Sequence, residues 1–219
     1  MDARLREVNT AANDLIHARR AAISPECARI IEQVRARCPD AFVGRQLKPS
    51  ELGPPVDLNP DETQKLFSAA FVDAATDGSA PTDVVLWVDG TSELLVFPTK
   101  ARLATADGFA IVGITVRCDE TGGVEIVVPF ALGAGDLPTG MMVSTESKPR
   151  GPAVIVDVWG DRLIATAWAA LTGVATSVAH SAGQDLDGES LLPGMLHASF
   201  KGLTVTPQAR HPFDRIVPR

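Results

Sequence analysis

A short stretch late in the chain concentrates the side chain types that most often carry out chemistry. Residues 180–190 read His-Ser-Ala-Gly-Gln-Asp-Leu-Asp-Gly-Glu-Ser. Carboxylates alternate at Asp185, Asp187 and Glu189, and a glycine precedes the last of them. Hard cations such as Ca²⁺ favour several oxygen ligands gathered in a turn with glycine. The spacing therefore predicts a candidate metal site, although the stretch lacks the further ligands of an EF-hand loop.

The same stretch contains the elements of a hydrolytic triad. Ser181 and His180 would need an acid, and Asp157 or Asp185 could supply it. A serine and a histidine that are adjacent in sequence do not usually face each other, and no Gly-x-Ser-x-Gly elbow is present. The catalytic residues therefore stay unassigned, and a hydrolase or metal-dependent enzyme that uses the His180–Glu189 stretch is an alternative rather than the leading hypothesis.

The cysteines offer little chemistry. Cys27, Cys38 and Cys118 form an odd, widely spaced set, which is neither a disulfide framework nor a zinc site. Cys118 with His197 would be a thiol nucleophile with its base, but the strand pattern points Cys118 into the core, where a thiol is inert. The sequence predicts free thiols in a reducing, cytoplasmic protein that needs no cofactor.

Composition excludes several classes of partner. The net charge is −7, and most of it falls after residue 75, so a phosphate backbone would be repelled and nucleic acid is not expected as a partner. The longest uncharged stretch, residues 163–179, is shorter than the roughly 20 apolar residues of a membrane helix. The first residues lead into no apolar run, so no secretory signal is expected. We therefore expect no contact with a membrane.

Three helices are predicted in the first third of the chain. A stripe with a period of three to four residues covers residues 3–23, and a second stripe follows Ser24 and Pro25 as far as residue 38. The third helix begins after Asn59, which can cap it together with Glu62 in a capping box. Between the second and third helices, residues 39–58 form either a linker wrapped on the surface, which we favour, or a functional loop.

From residue 84 onwards the hydrophobic period changes to two, which indicates strands. Turn residues divide this region into four predicted hairpins over residues 84–97, 109–130, 153–168 and 195–206. In the first hairpin, Asp89-Gly90 would form a type I′ turn. Residues 169–181 fit either a helix or a bent strand. Successive hairpins favour an antiparallel sheet and disfavour a doubly wound nucleotide-binding fold.

The predicted fold class is α+β, with N-terminal helices packed on a largely antiparallel sheet built from successive hairpins, arranged as a sandwich or a meander. We expect one domain over residues 1–219. It divides into a helical part at 1–75, a β-rich part at 84–206 and a C-terminal arm at 207–219.

The third predicted hairpin suggests a role. Its second face would carry Ile155, Trp159, Ile164 and Trp168, too many large apolar side chains for a face in contact with water. A second sheet or another subunit should therefore cover it. The leading hypothesis is a non-enzymatic binding or assembly protein that self-associates into a homo-oligomer through an apolar sheet face. A carrier of small apolar ligands is the second alternative, and the identity of any other protein partner stays open.

Overall fold

A computed structural model describes residues 25–42, 44, 46–76, 82–132 and 149–210. These residues form α-helices and two antiparallel sheets, so the predicted α+β fold is confirmed. The helices are α1 (Pro25–Arg37), α2 (Pro60–Ala75) and α3 (Ala153–Ala182). The strands are β1 (Val56–Leu58), β2 (Val85–Asp89), β3 (Ser92–Val96), β4 (Arg102–Ala106), β5 (Phe109–Cys118), β6 (Gly122–Ala131), β7 (Leu192–Ser199) and β8 (Gly202–Gln208).

The two helices predicted after residue 24 are confirmed. Helix α1 buries Cys27, Ile30, Ile31 and Val34 along one stripe. Helix α2 begins with the predicted capping box, since the Asn59 side chain accepts from the Glu62 amide and the Glu62 side chain accepts from the Asn59 amide. The helix predicted at residues 3–23 and its neighbour Ser24 lie outside the described residues.

The third predicted hairpin is wrong. Residues 153–168 form the first half of α3, and the ambiguous residues 169–181 continue that helix. Gly160 and Asp161, which resemble a turn in the sequence, lie within it. Glycine in a helix costs only about 1 kcal/mol relative to alanine, so the burial of the surrounding apolar residues outweighs that local preference. The region predicted to be β-rich therefore contains the longest helix in the described part of the chain.

The larger sheet contains β2, β3, β4, β5 and β6. Strand β5 is central: β6 pairs along one side of it, while β3 and β4 pair with successive parts of the other side. Strand β2 lies beyond β3. The first two predicted hairpins are confirmed, but the first turn comprises Gly90 and Thr91 rather than Asp89 and Gly90. Gly90 has φ of 59° at the first central position and Thr91 does not have a positive φ, which is the pattern of a type II′ turn.

The smaller sheet has the order β1-β8-β7 and contains the fourth predicted hairpin, which is confirmed, but its turn comprises Phe200 and Lys201 rather than the predicted Lys201 and Gly202. Gly202 follows that turn with φ of 117°, and a Cβ there would overlap the backbone oxygen of Leu58. Only glycine therefore fits where β8 meets the end of β1. Residues 207 and 208, predicted to begin a C-terminal arm, belong to β8, and residues 211–219 lie outside the described residues.

The described residues of the segment 39–58 contact the turn after α3 and the smaller sheet. Leu47 bonds to the backbone at residue 184, and Gly53 bonds to Pro207. The segment ends in β1, which pairs with β8. Backbone hydrogen bonds therefore tie this segment to the rest of the chain, and they do not distinguish a linker from a functional loop.

Helix α3 lies in the centre of the main apolar core, which includes residues from all three helices and both sheets. Its stripe at Ile155, Trp159, Leu163 and Ala167 is buried, and the burial continues to Ala182. By length and composition α3 could cross a membrane, but 72 % of the apolar 18-residue stretch of this helix is buried inside the protein. That is the pattern of the central helix of a globular domain.

Candidate functional site

The residues at 183–190 form a compact turn that uses its own polar groups. Asp185 is only 4 % exposed, and its Oδ1 accepts hydrogen bonds from the amides of Asp187, at 2.9 Å, and Glu189, at 3.0 Å. The Asp185 amide donates to the Glu189 carbonyl at 2.8 Å. The Glu189 carboxylate points elsewhere and lies 3.5 Å from Nη2 of Arg210. The carboxylate expected to bind a metal therefore holds the turn together.

The metal prediction receives no geometric support. Asp185, Asp187 and Glu189 share one turn, but no three His, Cys, Asp or Glu side chains are grouped to hold a metal ion within the part of the chain that the structure describes.

The candidate triad is not assembled either. His180 and Ser181 lie in the last turn of α3, and the Ser181 carbonyl accepts a hydrogen bond from Arg35. Asp157 belongs to the same helix but lies 23 residues earlier, which is about 35 Å along the helix axis at 1.5 Å per residue. Burial, and then the nearby charge of Arg210, lowers the pKa of His180. The imidazole is therefore neutral near pH 7.

The cysteine and the histidine of the candidate thiol site, Cys118 and His197, lie in different sheets. Cys118 ends β5 in the larger sheet, is buried, and its sulfur lies 3.2 Å from the Thr121 hydroxyl. His197 lies on β7 in the smaller sheet, opposite Thr204. None of the three cysteines forms a disulfide, and burial raises the pKa of Cys38. Cys118 and His197 therefore do not form a reactive thiolate with its base.

The predicted interface residues lie in the core of the chain. Ile155, Trp159, Ile164 and Trp168 all belong to α3 and are at most 8 % exposed. The ring of Trp159 lies 6.2 Å from that of Trp87, and the ring of Trp168 stacks on Phe130 at 5.8 Å. The strand-face argument that assigned these residues to an interface is wrong, because they lie on a helix that buries them inside the chain.

A different set of apolar side chains is exposed, on and beside β2. Val84, Leu86 and Val88 are 41 %, 50 % and 54 % exposed. Trp87 lies between them in sequence, points to the opposite face and is buried, where the Arg162 guanidinium covers its ring at 4.3 Å. Strand β2 is thus fixed to the core through one face and presents aliphatic side chains on the other.

The turn between β2 and β3 determines which backbone groups of β2 point away from the sheet. Asp89 and Ser92 flank the two-residue turn, so they form a hydrogen-bonded pair. Such pairs alternate along an antiparallel ladder, so Leu86 and Val88 direct their N–H and C=O groups away from β3. Among the described residues, β2 pairs with β3 alone. Its outer backbone groups are therefore available for another strand.

The edge formed by β4 differs, because a side chain bonds to its outer groups. The Gln64 side chain reaches from α2, where its Oε1 accepts from the Leu103 amide at 2.8 Å and its Nε2 donates to the Ala101 carbonyl at 3.1 Å. One side-chain amide thus occupies the positions that a neighbouring strand would use.

The edge formed by β6 is also protected. Val127 and Arg150 exchange two backbone hydrogen bonds, at 2.8 and 3.0 Å, so the segment before α3 pairs with this edge. Two residues further along the same edge stands Pro129, which has no N–H to offer. Proline and a covering segment are both known devices that prevent strand addition.

Both edges of the smaller sheet have partners as well. At β1, the Arg37 guanidinium donates to the backbone oxygen of Asp57. At β7, the Ala198 amide donates to Leu132 and its carbonyl accepts from the Gly108 amide. The Thr82 hydroxyl donates to the Val84 carbonyl just before β2, at 2.9 Å. Of the sheet edges that the structure describes, β2 is the one for which we find neither a covering segment nor a side chain that bonds to the outward backbone groups of the strand itself, those of Leu86 and Val88.

A cleft of about 680 Å³ opens beside β2, between the turns at one end of the larger sheet and the first two turns of α3. Its lining combines aliphatic and aromatic side chains with charged ones. The lining includes Leu86, Leu95, Val154, Val158 and Trp159 together with Glu93, Arg117, Asp119 and Glu120. Because Leu86 lines both the cleft and the β2 edge, the two features form one continuous surface, which we call the β2 surface.

No protein-family model, no curated protein and no solved structure matches this chain.

Proposed function

We propose that this protein is a non-enzymatic assembly protein that self-associates through the β2 surface. The observation that carries the proposal is the state of β2: its outer backbone groups are unprotected among the described residues, and its outward side chains are aliphatic and about half exposed. An exposed, apolar strand edge is a template for pairing with another chain, and natural proteins usually block it unless it is used.

The magnitudes favour a reversible assembly. Full burial of a Val or Leu side chain contributes about 1.5–3 kcal/mol, so shielding the exposed halves of Leu86 and Val88 would contribute at most about 1 kcal/mol each. Two copies together would gain at most about 4 kcal/mol, to which new backbone hydrogen bonds would add about 1 kcal/mol each. Association costs about 4–15 kcal/mol, so the balance favours a concentration-dependent equilibrium rather than a permanent complex.

The charge of the chain narrows the class of partner. The protein carries a net charge of −7, which disfavours nucleic acid. The outward residues at the centre of β2, Leu86 and Val88, are uncharged, whereas Asp83 lies two residues before the strand and Asp89 is its last residue. An apolar strand flanked by acidic residues suits another protein strand. We also propose that the protein is cytoplasmic, because its cysteines form no disulfide.

The two alternatives have less support. A metal-dependent hydrolase would need the side chains of residues 180–189 to converge, whereas the Asp185 carboxylate is bonded to its own turn. A carrier of apolar ligands would need an enclosed apolar cavity, whereas the cleft beside β2 is open and partly lined by carboxylates.

The test is the native mass in solution, measured by size-exclusion chromatography with light scattering over a range of protein concentrations. We expect the mass to rise with concentration for the wild-type protein and to stay at the monomer value for Leu86→Lys. Leu186→Lys is the matched control, since Leu186 is 53 % exposed but lies in the 183–190 turn. A wild-type mass that is monomeric at every concentration would contradict the proposal, as would equal masses for Leu86→Lys and the wild type.

A further inference from the structure

We infer that the assembly is a closed dimer in which β2 pairs antiparallel with β2 of a second copy, with the two-fold axis beside Trp87. This inference rests on the proposed function and specifies its partner and geometry. In this arrangement the two larger sheets join into one continuous sheet across the axis.

Hydrogen-bond geometry limits the possible registers. Only residues whose backbone groups point outwards can pair with each other, and in β2 those are Leu86 and Val88. If Leu86 pairs with Val88 of the second copy, every residue of Val85–Asp89 lies opposite a residue of the same strand in the second copy, which runs in the opposite direction. Any other permitted register leaves part of β2 without a partner strand, so this one forms the most hydrogen bonds.

Charge selects the same register. If Leu86 paired with Leu86 of the second copy, Asp83 would lie opposite Asp89, and two exposed carboxylates would repel each other. With Leu86 opposite Val88, Asp89 lies opposite Val85 instead. The acidic ends of the strand therefore avoid each other only when the axis passes beside Trp87 or further along the strand, where fewer residues pair.

The outer face of the joined sheet supports the arrangement. Leu95 lies beside Leu86, and Arg117 lies beside Leu95. Glu93 lies beside Val88. Two rows of neighbouring side chains would therefore run across the strands of the joined sheet. Each row would contain Arg117, Leu95 and Leu86 of one copy, followed by Val88 and Glu93 of the other. Six aliphatic side chains would form one strip that has an arginine at one end of each row and a glutamate at the other.

The arrangement also explains why the assembly would stop at two copies. A two-fold contact uses the same edge of both molecules, so each copy loses its exposed edge when the contact forms. The other sheet edges of the described residues are protected by Gln64, Pro129, Arg37 and backbone partners. Growth into a filament would need a second unprotected edge.

Disulfide trapping tests the register directly. Residues 85 and 89 would form a non-hydrogen-bonded pair across the axis, with Cα atoms about 4.5 Å apart, which suits a disulfide. We expect an oxidised mixture of Val85→Cys and Asp89→Cys proteins to form a covalent dimer. Neither variant alone should do so, and the wild-type chain shows the background from the natural cysteines.

A second pair of variants covers the case in which Val85→Cys does not fold. Leu86→Cys and Val88→Cys both replace exposed side chains. Oxidation to a disulfide should join them only when the two are mixed, because residues 86 and 88 of the two copies would face each other at about 5.5 Å, whereas each residue and its own copy would lie diagonally, about 7–8 Å apart. Cross-linking of any one variant with itself, or no cross-link in either mixture, would overturn the register. If the wild type still forms a dimer that Leu86→Lys dissociates, the proposed function stands and only the register fails. If the wild type is monomeric, both fail.

Discussion

The turn at residues 183–190 and the β2 surface differ in a way that composition alone does not reveal. The turn carries acids, a hydroxyl and a neighbouring histidine, yet its buried carboxylate is bonded to its own backbone. The centre of β2 carries only aliphatic residues and a tryptophan, yet its outer backbone groups lack a described partner. Residue types indicate which chemistry is possible, whereas unsatisfied groups indicate where a partner is needed.

The largest expected effect comes from blocking the β2 edge in the same way that β6 is blocked. Val88→Pro removes an outward N–H that the fold does not use, and proline is tolerated on edge strands. The loss of two pairing hydrogen bonds and the altered strand shape should weaken self-association by about 100-fold or more. Sedimentation equilibrium would measure the dissociation constant.

The control for this variant is Val88→Thr, which keeps the N–H and the branched shape. It should weaken self-association by much less than Val88→Pro. Circular dichroism should show the same secondary structure for both variants. If Val88→Pro assembles like the wild type, strand pairing at β2 is the wrong mechanism.

The next effect concerns the stability of the turn. Asp185→Ala removes the acceptor of two amide hydrogen bonds in a buried position, so the free energy of unfolding should fall by about 2 kcal/mol. Asp185→Asn keeps Oδ1 and should cost less. Urea denaturation would measure both, and self-association should not change in either variant.

The same experiment separates a structural carboxylate from a metal ligand. A bound ion would raise the thermal midpoint of the wild type and not that of Asp185→Ala. We expect Ca²⁺ and Mg²⁺ to leave both midpoints unchanged, and a rise in the wild type alone would restore the metal site.

A smaller effect is expected at the protected edge of β4. Gln64→Leu leaves the Leu103 amide and the Ala101 carbonyl without their side-chain partner. We expect a loss of about 1–2 kcal/mol in the free energy of unfolding. Gln64→Glu keeps the acceptor for Leu103 and loses the donor for Ala101, so it should fall between Gln64→Leu and the wild type. Equal stability in all three proteins would show that this contact does not stabilise the fold.

Much of the fold was predictable because local signals and burial agree. The Asn59 capping box, the stripe of α1 and the hairpin of β5 and β6 combine a turn or a cap with a matching hydrophobic period. The same signals conflict in α3. Its first half is rich in β-branched residues and contains Gly160-Asp161, which favours a hairpin. The spacing of Ile155, Trp159, Leu163 and Ala167 indicates a helix, and it continues into residues 169–182.

The candidate site was harder to predict than the fold. The general idea of an apolar sheet surface was available from the sequence, but the residues assigned to it belong to the buried helix. Strand β4 was not predicted at all, and the roles of Gln64 and Arg150 as edge partners depend on contacts between residues that are distant in sequence. An unprotected edge is visible only once the other edges have been located.

The smallest expected effect concerns His180, at the junction between α3 and the turn. Burial, followed by the charge of Arg210, lowers the pKa of His180, so the unfolded chain binds a proton more readily than the folded one. Stability should therefore rise with pH and fall as the pH drops through the ordinary histidine range near 6.5. His180→Gln should lose less stability than the wild type between pH 7 and pH 5, as measured by urea denaturation at each pH. His197→Gln, on β7, controls for the loss of a histidine, and an unchanged acid response in His180→Gln would show that this imidazole stays hydrated in the folded protein.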